Sequence, residues 1–394
     1  MTSDHQIQSS TLPAPQPDYV LRGHSAQIHS VCFLRHNTRL LTGDAQGWLV
    51  LWSLASKRPV AVWRAHEGAI LGLGSWNDDK IITHGRDTKL LVWQLRESDE
   101  PMFSTILPIE DDITRRAEPW LLQSLEVNTL NFCSFAQCPA NALEKNDDDA
   151  SSIFLAVPGR REGEVEIYSL PSQERLFTIG APKGIKTGMV MALKITYLVD
   201  DLTVIAGFES GHTCLWHKPS LEAGWKTAYI GRVHEQPVLS LDMAETHSAY
   251  FTSAADALVA RHPLTIADTP VTDELTKQVQ TKHSGQQALR VRSDEKVFAT
   301  AGWDGRIRVY SVKTMRELAV LKWHKQGCYA LAFADLSHPV GTVLPDSHDA
   351  DDSAGKASLE PYLTVEQKRN IKAQTTHWLA AGAKDGKVSL WDIY

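Results

Sequence analysis

The chain has 394 residues, a formal net charge of -7 and a composition that is 43% hydrophobic and 22% charged, ordinary for a folded soluble domain. Its acidic balance, with no cluster of five or more Lys and Arg, argues against sequence-independent nucleic-acid binding, which needs a basic footprint. No run approaches the roughly 18 apolar residues of a membrane helix, and the five cysteines, without a CxxC pair, fit reduced core thiols of a cytosolic or nuclear protein.

Residues 1–17, rich in Ser, Gln, Pro and Thr, are expected to form a disordered tail that is neither signal peptide nor anchor. Tyr19 and Leu21 then alternate in a short strand ahead of Gly23-His24. A unit follows with period-2 strands at Ile28–Phe33, Arg39–Gly43 and Trp48–Leu54, in which Gln46 stands six residues before Trp52. The next unit repeats this with strands at Ile70–Leu73, Lys80–Thr83 and Lys89–Leu95, and with Asp87 six before Trp93. The spacing then stretches. Its excess falls in 108–122, placed before the first strand of the third unit, and in 139–152, which carries Asp147-Asp148-Asp149; the two loops are expected on opposite faces.

The third unit has strands at Ile153–Val157 and Glu164–Leu170, with Glu162 six before Tyr168. A fourth (Gly188–Tyr197, Leu202–Gly207, His212–His217) pairs Ser210 with Trp216. The fifth (Val238–Asp242, Ala249–Ser253, Ala257–His262) pairs Asp256 with His262; it reads as degenerate, because Arg261-His262 stands where Trp-Asp belongs, and a loop over 265–274 precedes its outer strand. In the sixth, Asp304 stands six before Tyr310. The seventh carries an insertion over 335–374, acidic and expected to be disordered from Asp346, then helix-prone from Thr364, where Thr364 and Gln367 have capping-box spacing. It ends on AAGAKDGKVSLWDIY, with Asp385 six before Trp391.

Seven units on one spacing, five of them preceded by a His (His24, His66, His234, His283, His324), resemble the WD-repeat β-propeller family. The resemblance implies an all-β fold, a single seven-bladed WD-repeat β-propeller over 18–394, closed by the N-terminal strand pairing with the last blade so that no sheet edge is left open there. In that family the His, a Ser or Thr on the second strand, the turn Asp and the third-strand Trp form a buried hydrogen-bonded chain. Carried over, this implies His66, Thr83, Asp87 and Trp93 in the second unit, His283, Thr300, Asp304 and Tyr310 in the sixth, and His324, Asp385 and Trp391 in the seventh. Units three and four lack the His and unit one has Gln46 in place of Asp, so those blades are expected to rely on ordinary sheet packing.

With five histidines absorbed by the repeat, no HxxxH or Cys/His ligand set and no GxSxG elbow, no metal, cofactor or catalytic residue is expected. Propellers of this family bind partners on the face carrying the second-to-third-strand turns. Arg86, Arg161, Trp303 and Lys384, each just before a turn acid, make a cation-plus-aromatic patch there, suited to an acidic partner. Residues 364–374 are a candidate interaction helix with a thin apolar face, Val365 and Ile371. The opening PDYVLRGHSAQIHSVCF and the stretches TGDAQGWLVLW and RAHEGAILGL also resemble fungal members of the family related to the animal G-protein β-subunit-like proteins. That resemblance implies a non-enzymatic scaffold subunit of the nuclear ASTRA assembly, linked to chromatin remodelling, with a co-chaperone triad, AAA+ ATPases and a kinase-related pseudokinase as partners. Two other readings stand beside it: a histone-tail or phosphopeptide reader, and a ubiquitin-ligase substrate adaptor. The adaptor is disfavoured because Trp52, Trp93 and Trp216 are followed by Ser53, Gln94 and His217 and not by an Asp-x-Arg box.

Overall fold

A computed structural model describes residues 15–110, 116–128, 132–141, 151–266, 271–272, 277–337 and 363–393. Seven antiparallel sheets make the blades of one propeller, each ordered from an inner strand to an outer one. The third strand of blade one, Trp48–Ser53, shows why these segments are strands. Its residues alternate between two interblade cores: Trp48, Val50 and Trp52 pack toward blade seven, Leu49 and Leu51 toward blade two. A strand covered on both faces needs no polar side, hence the unbroken apolar run.

The ring is closed as the repeat implies. Tyr19–Arg22 pairs antiparallel with Lys387–Asp392, Tyr19 opposite Leu390 and Arg22 opposite Lys387, and Asp18 N donates to Leu390 O at 2.8 Å. Close approach of blades is set by a small residue on the second strand. A Cβ on Gly382 would fall 2.3 Å from Ile28 Cγ2 of blade one, and Gly43 and Gly207 face Ile70 and Val238 of their next blades in the same way. Gly382→Ala is therefore expected to destabilise by about 1–3 kcal/mol through overpacking, and Ile28→Val in the same chain to relieve part of that. Denaturant unfolding of the two variants checks it; an unchanged midpoint for Gly382→Ala would contradict the packing argument.

The insertions differ from expectation in two ways. The stretch assigned to 108–122 lies between the third and outer strands of blade two, not before blade three, and its last residues already belong to the outer strand Trp120–Glu126. It therefore leaves from the same face as the 139–152 loop, where first strands hand over to second ones. On its way it straps blade one. Glu100, buried, accepts Arg39 Nε at 2.8 Å and Nη2 at 2.9 Å and also pairs with Arg35, Ile109 N donates to Gly23 O at 2.9 Å, and Arg116 lies 4.6 Å over the Trp48 ring. The 265–274 loop contributes Val271–Thr272, which pairs in parallel with Tyr229–Ile230 as a fifth strand of blade four. Asp147-Asp148-Asp149 and the acidic run from Asp346 lie outside the described residues. The helix Val365–Thr375 carries the capping box, Gln367 N to Thr364 Oγ1 at 3.1 Å and Thr364 N to Gln367 Oε1 at 2.8 Å. Its Ala373 packs in the core beside Trp378, leaving Val365 and Ile371 outward.

Candidate functional site

In blade two His66 Nδ1 lies 2.9 Å from Asp87 Oδ1 and Nε2 lies 2.8 Å from Thr83 Oγ1, which also accepts the Trp93 indole N–H at 2.9 Å. Glu67 N donates to the other carboxylate oxygen at 3.0 Å. Burial opposes the Asp87 charge, but the His66 hydrogen bond and its field hold the carboxyl below the usual range. Satisfying each group in this way is what lets it stay out of water.

Blade one has the same relay, contrary to the expectation drawn from Gln46. His24 Nδ1 meets Asp44 Oδ2 at 2.7 Å, His24 Nε2 meets Thr42 Oγ1 at 2.7 Å, and Trp52 Nε1 donates to Thr42 Oγ1 at 2.9 Å. The acid has moved two residues back along the chain. Asp44 pairs with Ile28, as Gly85 pairs with Ile70 in blade two, and a Cβ on Gly85 would sit 2.2 Å from His66 Nδ1 and 2.5 Å from Asp87 Oδ1. Gly85/Asp87 and Asp44/Gln46 are thus two ways of putting one carboxylate in one place.

Blade five is not degenerate either. His234 Nδ1 reaches Asp256 at 3.0 Å and its Nε2 reaches Thr252 Oγ1 at 2.8 Å, while His262 Nε2 takes the indole's place at 2.9 Å from Thr252 Oγ1. Burial, seconded by His234, lowers the His262 pKa to about 3, so the ring is neutral. Donating at Nε2, it accepts the Tyr229 hydroxyl at Nδ1 (3.2 Å), and Tyr250 stacks on it at 4.7 Å. In blade seven the hydroxyl crosses strands. Ser389, opposite Ala381, receives Trp391 Nε1 at 2.8 Å and meets His324 Nε2 at 2.9 Å, with Asp385 Oδ1 3.6 Å from His324 Nδ1.

Blade six departs from the expected tetrad. His283 is half-exposed on its side chain and stands 3.7 Å from Asp304. Arg308, opposite Thr300 in the ladder, grips the Asp304 carboxylate instead, at 2.6 and 3.2 Å, and Thr300 Oγ1 donates to Gln286 Oε1 at 2.9 Å. A bidentate guanidinium outcompetes an imidazole for one carboxylate, and the buried Gln286 satisfies the hydroxyl that His283 leaves. Tyr310 stacks on Phe298 at 5.0 Å. Blade three also holds a polar set, Tyr168 Oη donating to Glu166 at 2.8 Å and Arg175 at 3.0 Å, so packing alone does not describe it.

The inner strands surround a central cavity of about 770 Å³ that runs from the turn face to the opposite one, where Asn37, Asp78 and Asp335 line it. In six sheets the ladder slips near the start of the inner strand, at His29, Leu71, Met191, Leu239, Gln287 and Tyr329, and all six line the cavity, with Phe132 from blade three. Bulges re-aim side chains, here into the mouth. The His29 and Tyr329 rings meet edge to face at 6.2 Å. Arg86 stacks 4.3 Å over Phe132, and the His29 pKa is lowered, by burial chiefly, with Asp44 opposing and Arg86 adding. Trp303 is 46% exposed, covers Gly285 and donates its indole N–H to Gln287 Oε1 at 2.8 Å. Arg86 and Trp303 are thereby joined to the mouth. Arg161 is exposed and pairs with Glu164 of its own turn at 3.8 Å, and Lys384 is exposed on the turn of blade seven. The mouth residues His29, Leu71, Leu239 and Tyr329 lie five after His24, His66, His234 and His324, a spacing that marks them in the sequence. Among the described residues no group of three or more His, Cys, Asp or Glu could hold a metal ion, and no helix is long and apolar enough to cross a membrane.

The family described as ASTRA-associated protein 1 matches residues 17–332, and the WD domain, G-beta repeat matches 373–392. A protein of that name from Verticillium alfalfae is 48% identical over 391 residues, covering 98% of this chain and 94% of its own. Its namesake in Penicillium rubens is 44% identical over 444 residues with both chains fully covered, and that of Schizosaccharomyces pombe 34% over 365 residues, 84% of this chain and 95% of its own. A seven-bladed propeller matched along most of its length by that family's description, and at nearly half identity by one of its members, belongs to the ASTRA-associated protein 1 family.

Proposed function

We propose that this chain is a non-catalytic scaffold subunit of the ASTRA assembly in the nucleus, acting in chromatin remodelling and in the co-chaperoning of phosphatidylinositol-3-kinase-related kinases. Its partners on this reading are the co-chaperone triad, the AAA+ ATPases and the kinase-related pseudokinase of that assembly. The observation that carries the reading is the near full-length similarity to proteins whose name records association with ASTRA. The chemistry agrees: the His, Thr and Asp that catalysis would draw on are spent in the relays of blades one, two and five, where each polar atom already has a neighbour. Contact, not turnover, is the mechanism.

The docking surface on this reading is the cavity mouth with Arg86, Arg161, Trp303 and Lys384 around it. Leu71, Met191 and Leu239 among the polar His29, Gln287 and Tyr329, beside a stacked guanidinium and an exposed indole, suit a segment that inserts an aliphatic or aromatic anchor and carries an acidic group next to it. Arg86→Ala with Trp303→Ala is expected to reduce recovery of partner subunits at least about tenfold, the effect of losing roughly 1.4 kcal/mol, without moving the unfolding midpoint. Quantitative co-purification of wild type and variant tests it. A folded variant that recovers every subunit normally would remove the mouth from the account. Tighter binding of a phosphorylated or histone-tail peptide than of an acidic partner segment would favour a reader in place of a scaffold.

A further inference from the structure

The outer strand of blade two, Trp120–Glu126, is the last strand of its sheet, and among the described residues none pairs with its far side. It opens on Trp120, Leu121 and Leu122, which are 74%, 45% and 39% exposed. Natural sheets blunt free edges with charge or proline, because an apolar edge recruits another strand. In five of the other blades charge stands at the edge: Arg58, Glu174, Lys277 and Glu317 open the outer strands of blades one, three, five and six, and Asp18 immediately precedes the closing strand of blade seven, while in blade four Val271–Thr272 covers the strand that Lys226 opens. Blade two has Pro119 just ahead of its outer strand, but the first three residues of the edge itself are apolar and exposed, with no charge among them.

The nearest acids stand at the two ends of the bare stretch, Glu118 before it and Glu126 at its finish, both exposed. The strand itself is anchored from its other side, Leu125 packing into the core between blades two and three and Gln123 Nε2 donating to Pro171 O at 2.7 Å. Blade four shows that the rim of this ring accepts one more strand, since Val271–Thr272 pairs there with Tyr229–Ile230. We propose that the rim of blade two is a strand-addition site, taking an extended partner segment, apolar at alternate positions and basic at both ends, as a fifth strand along Trp120–Glu126. Main-chain hydrogen bonds give such a contact its affinity and the exposed side chains its specificity, here Trp120, Leu121 and Leu122, with the strand bulged at Leu122, and Glu118 and Glu126 meeting the basic ends. The site is separate from the cavity mouth and does not depend on docking there.

The test uses the full chain and three synthetic peptides of about nine residues, enough to run along one strand: an alternating Val/Thr peptide flanked by Lys, the same with a central Pro, and the same flanked by Glu. Fluorescence anisotropy is expected to show the Lys-flanked peptide binding at least about tenfold tighter than the other two, a difference of about 1.4 kcal/mol. Leu122→Lys should abolish that preference, Arg86→Ala with Trp303→Ala should leave it intact, and amide hydrogen exchange should slow across 120–126 in the complex. No binding, equal binding of the three peptides, a Leu122→Lys chain that binds like wild type, or unchanged exchange each overturns the proposal. So does a dimer of the free chain that Leu122→Lys dissolves, since the edge would then belong to a second copy.

Discussion

Asp44→Gly is expected to destabilise the propeller by about 3–5 kcal/mol, the loss that follows when one partner of a buried polar pair is removed, and Gln46→Asp in the same chain is expected to restore more than half of it. Asp44 is fully buried, and its carboxylate meets His24 Nδ1 at 2.7 Å while accepting Gln46 N at 2.9 Å and Trp48 N at 3.1 Å. Without it, those donors are left buried and unpaired. The double variant rewrites blade one as blade two, with Gly at the position of Gly85 and Asp at that of Asp87. Its recovery should appear as a coupling of about 2 kcal/mol in a double-mutant cycle by denaturant unfolding. If Asp44→Gly unfolds like wild type, the relay does not hold the blade; if the second change restores nothing, the two positions do not share one carboxylate site.

A second large effect is acid sensitivity that begins near neutrality. Burial, with His66 adding, lowers the His84 pKa to about 3, and burial with His234 does the same for His262. A histidine that binds its proton more weakly in the folded than in the unfolded chain gives stability that is full above the unfolded value of about 6.5 and falls as pH drops from there toward 3. At pH 5 the two together remove roughly 4 kcal/mol, about 2 each. The relay carboxylates act lower down. Burial opposes the charges of Asp87, Asp256 and Asp385, but their histidines hold them below the usual range, so the stability they supply is present above about pH 4 and lost as pH falls through the depressed values. His84 differs from His262 in having no partner for either ring nitrogen among the described residues, only Phe135 edge-on at 6.1 Å. His84→Leu should therefore raise stability at pH 7 by about 1 kcal/mol and halve the loss between pH 7 and 5. Unfolding midpoints at the two pH values decide it, and a His84→Leu chain with the wild-type slope would contradict the assignment.

What was legible in the sequence was the repeat, because seven turns of one length must recur along the chain at one spacing. The closure at Tyr19 and the helix at Thr364 were legible for the same reason, since pairing and capping are local rules. The relays were only half legible. Spacing counts residues along a strand, whereas a carboxylate is needed at a point in space, and Asp44, Ser389 and His262 reach the points held in blade two by Asp87, Thr83 and Trp93 from other positions or with another ring. The converse error occurs in blade six, where His283 and Asp304 have the right spacing but Arg308 lies closer to the carboxylate. A guanidinium two residues before Tyr310 was the available signal, since that position faces the hydroxyl across the ladder. The rim of blade two is not legible, because no periodicity separates Trp120 and Leu122 from the long connection before them; only the pairing of Trp120 with Gln94 shows that they lie on an edge.

The most direct test of the scaffold reading is affinity purification of the tagged chain from nuclear extract, with mass spectrometry of what accompanies it. The account predicts the co-chaperone triad, the AAA+ ATPases and the kinase-related pseudokinase together, in amounts that Arg86→Ala with Trp303→Ala lowers. Recovery of ubiquitin-ligase components, or of histones alone, would leave the propeller and its relays standing and contradict the function assigned to them.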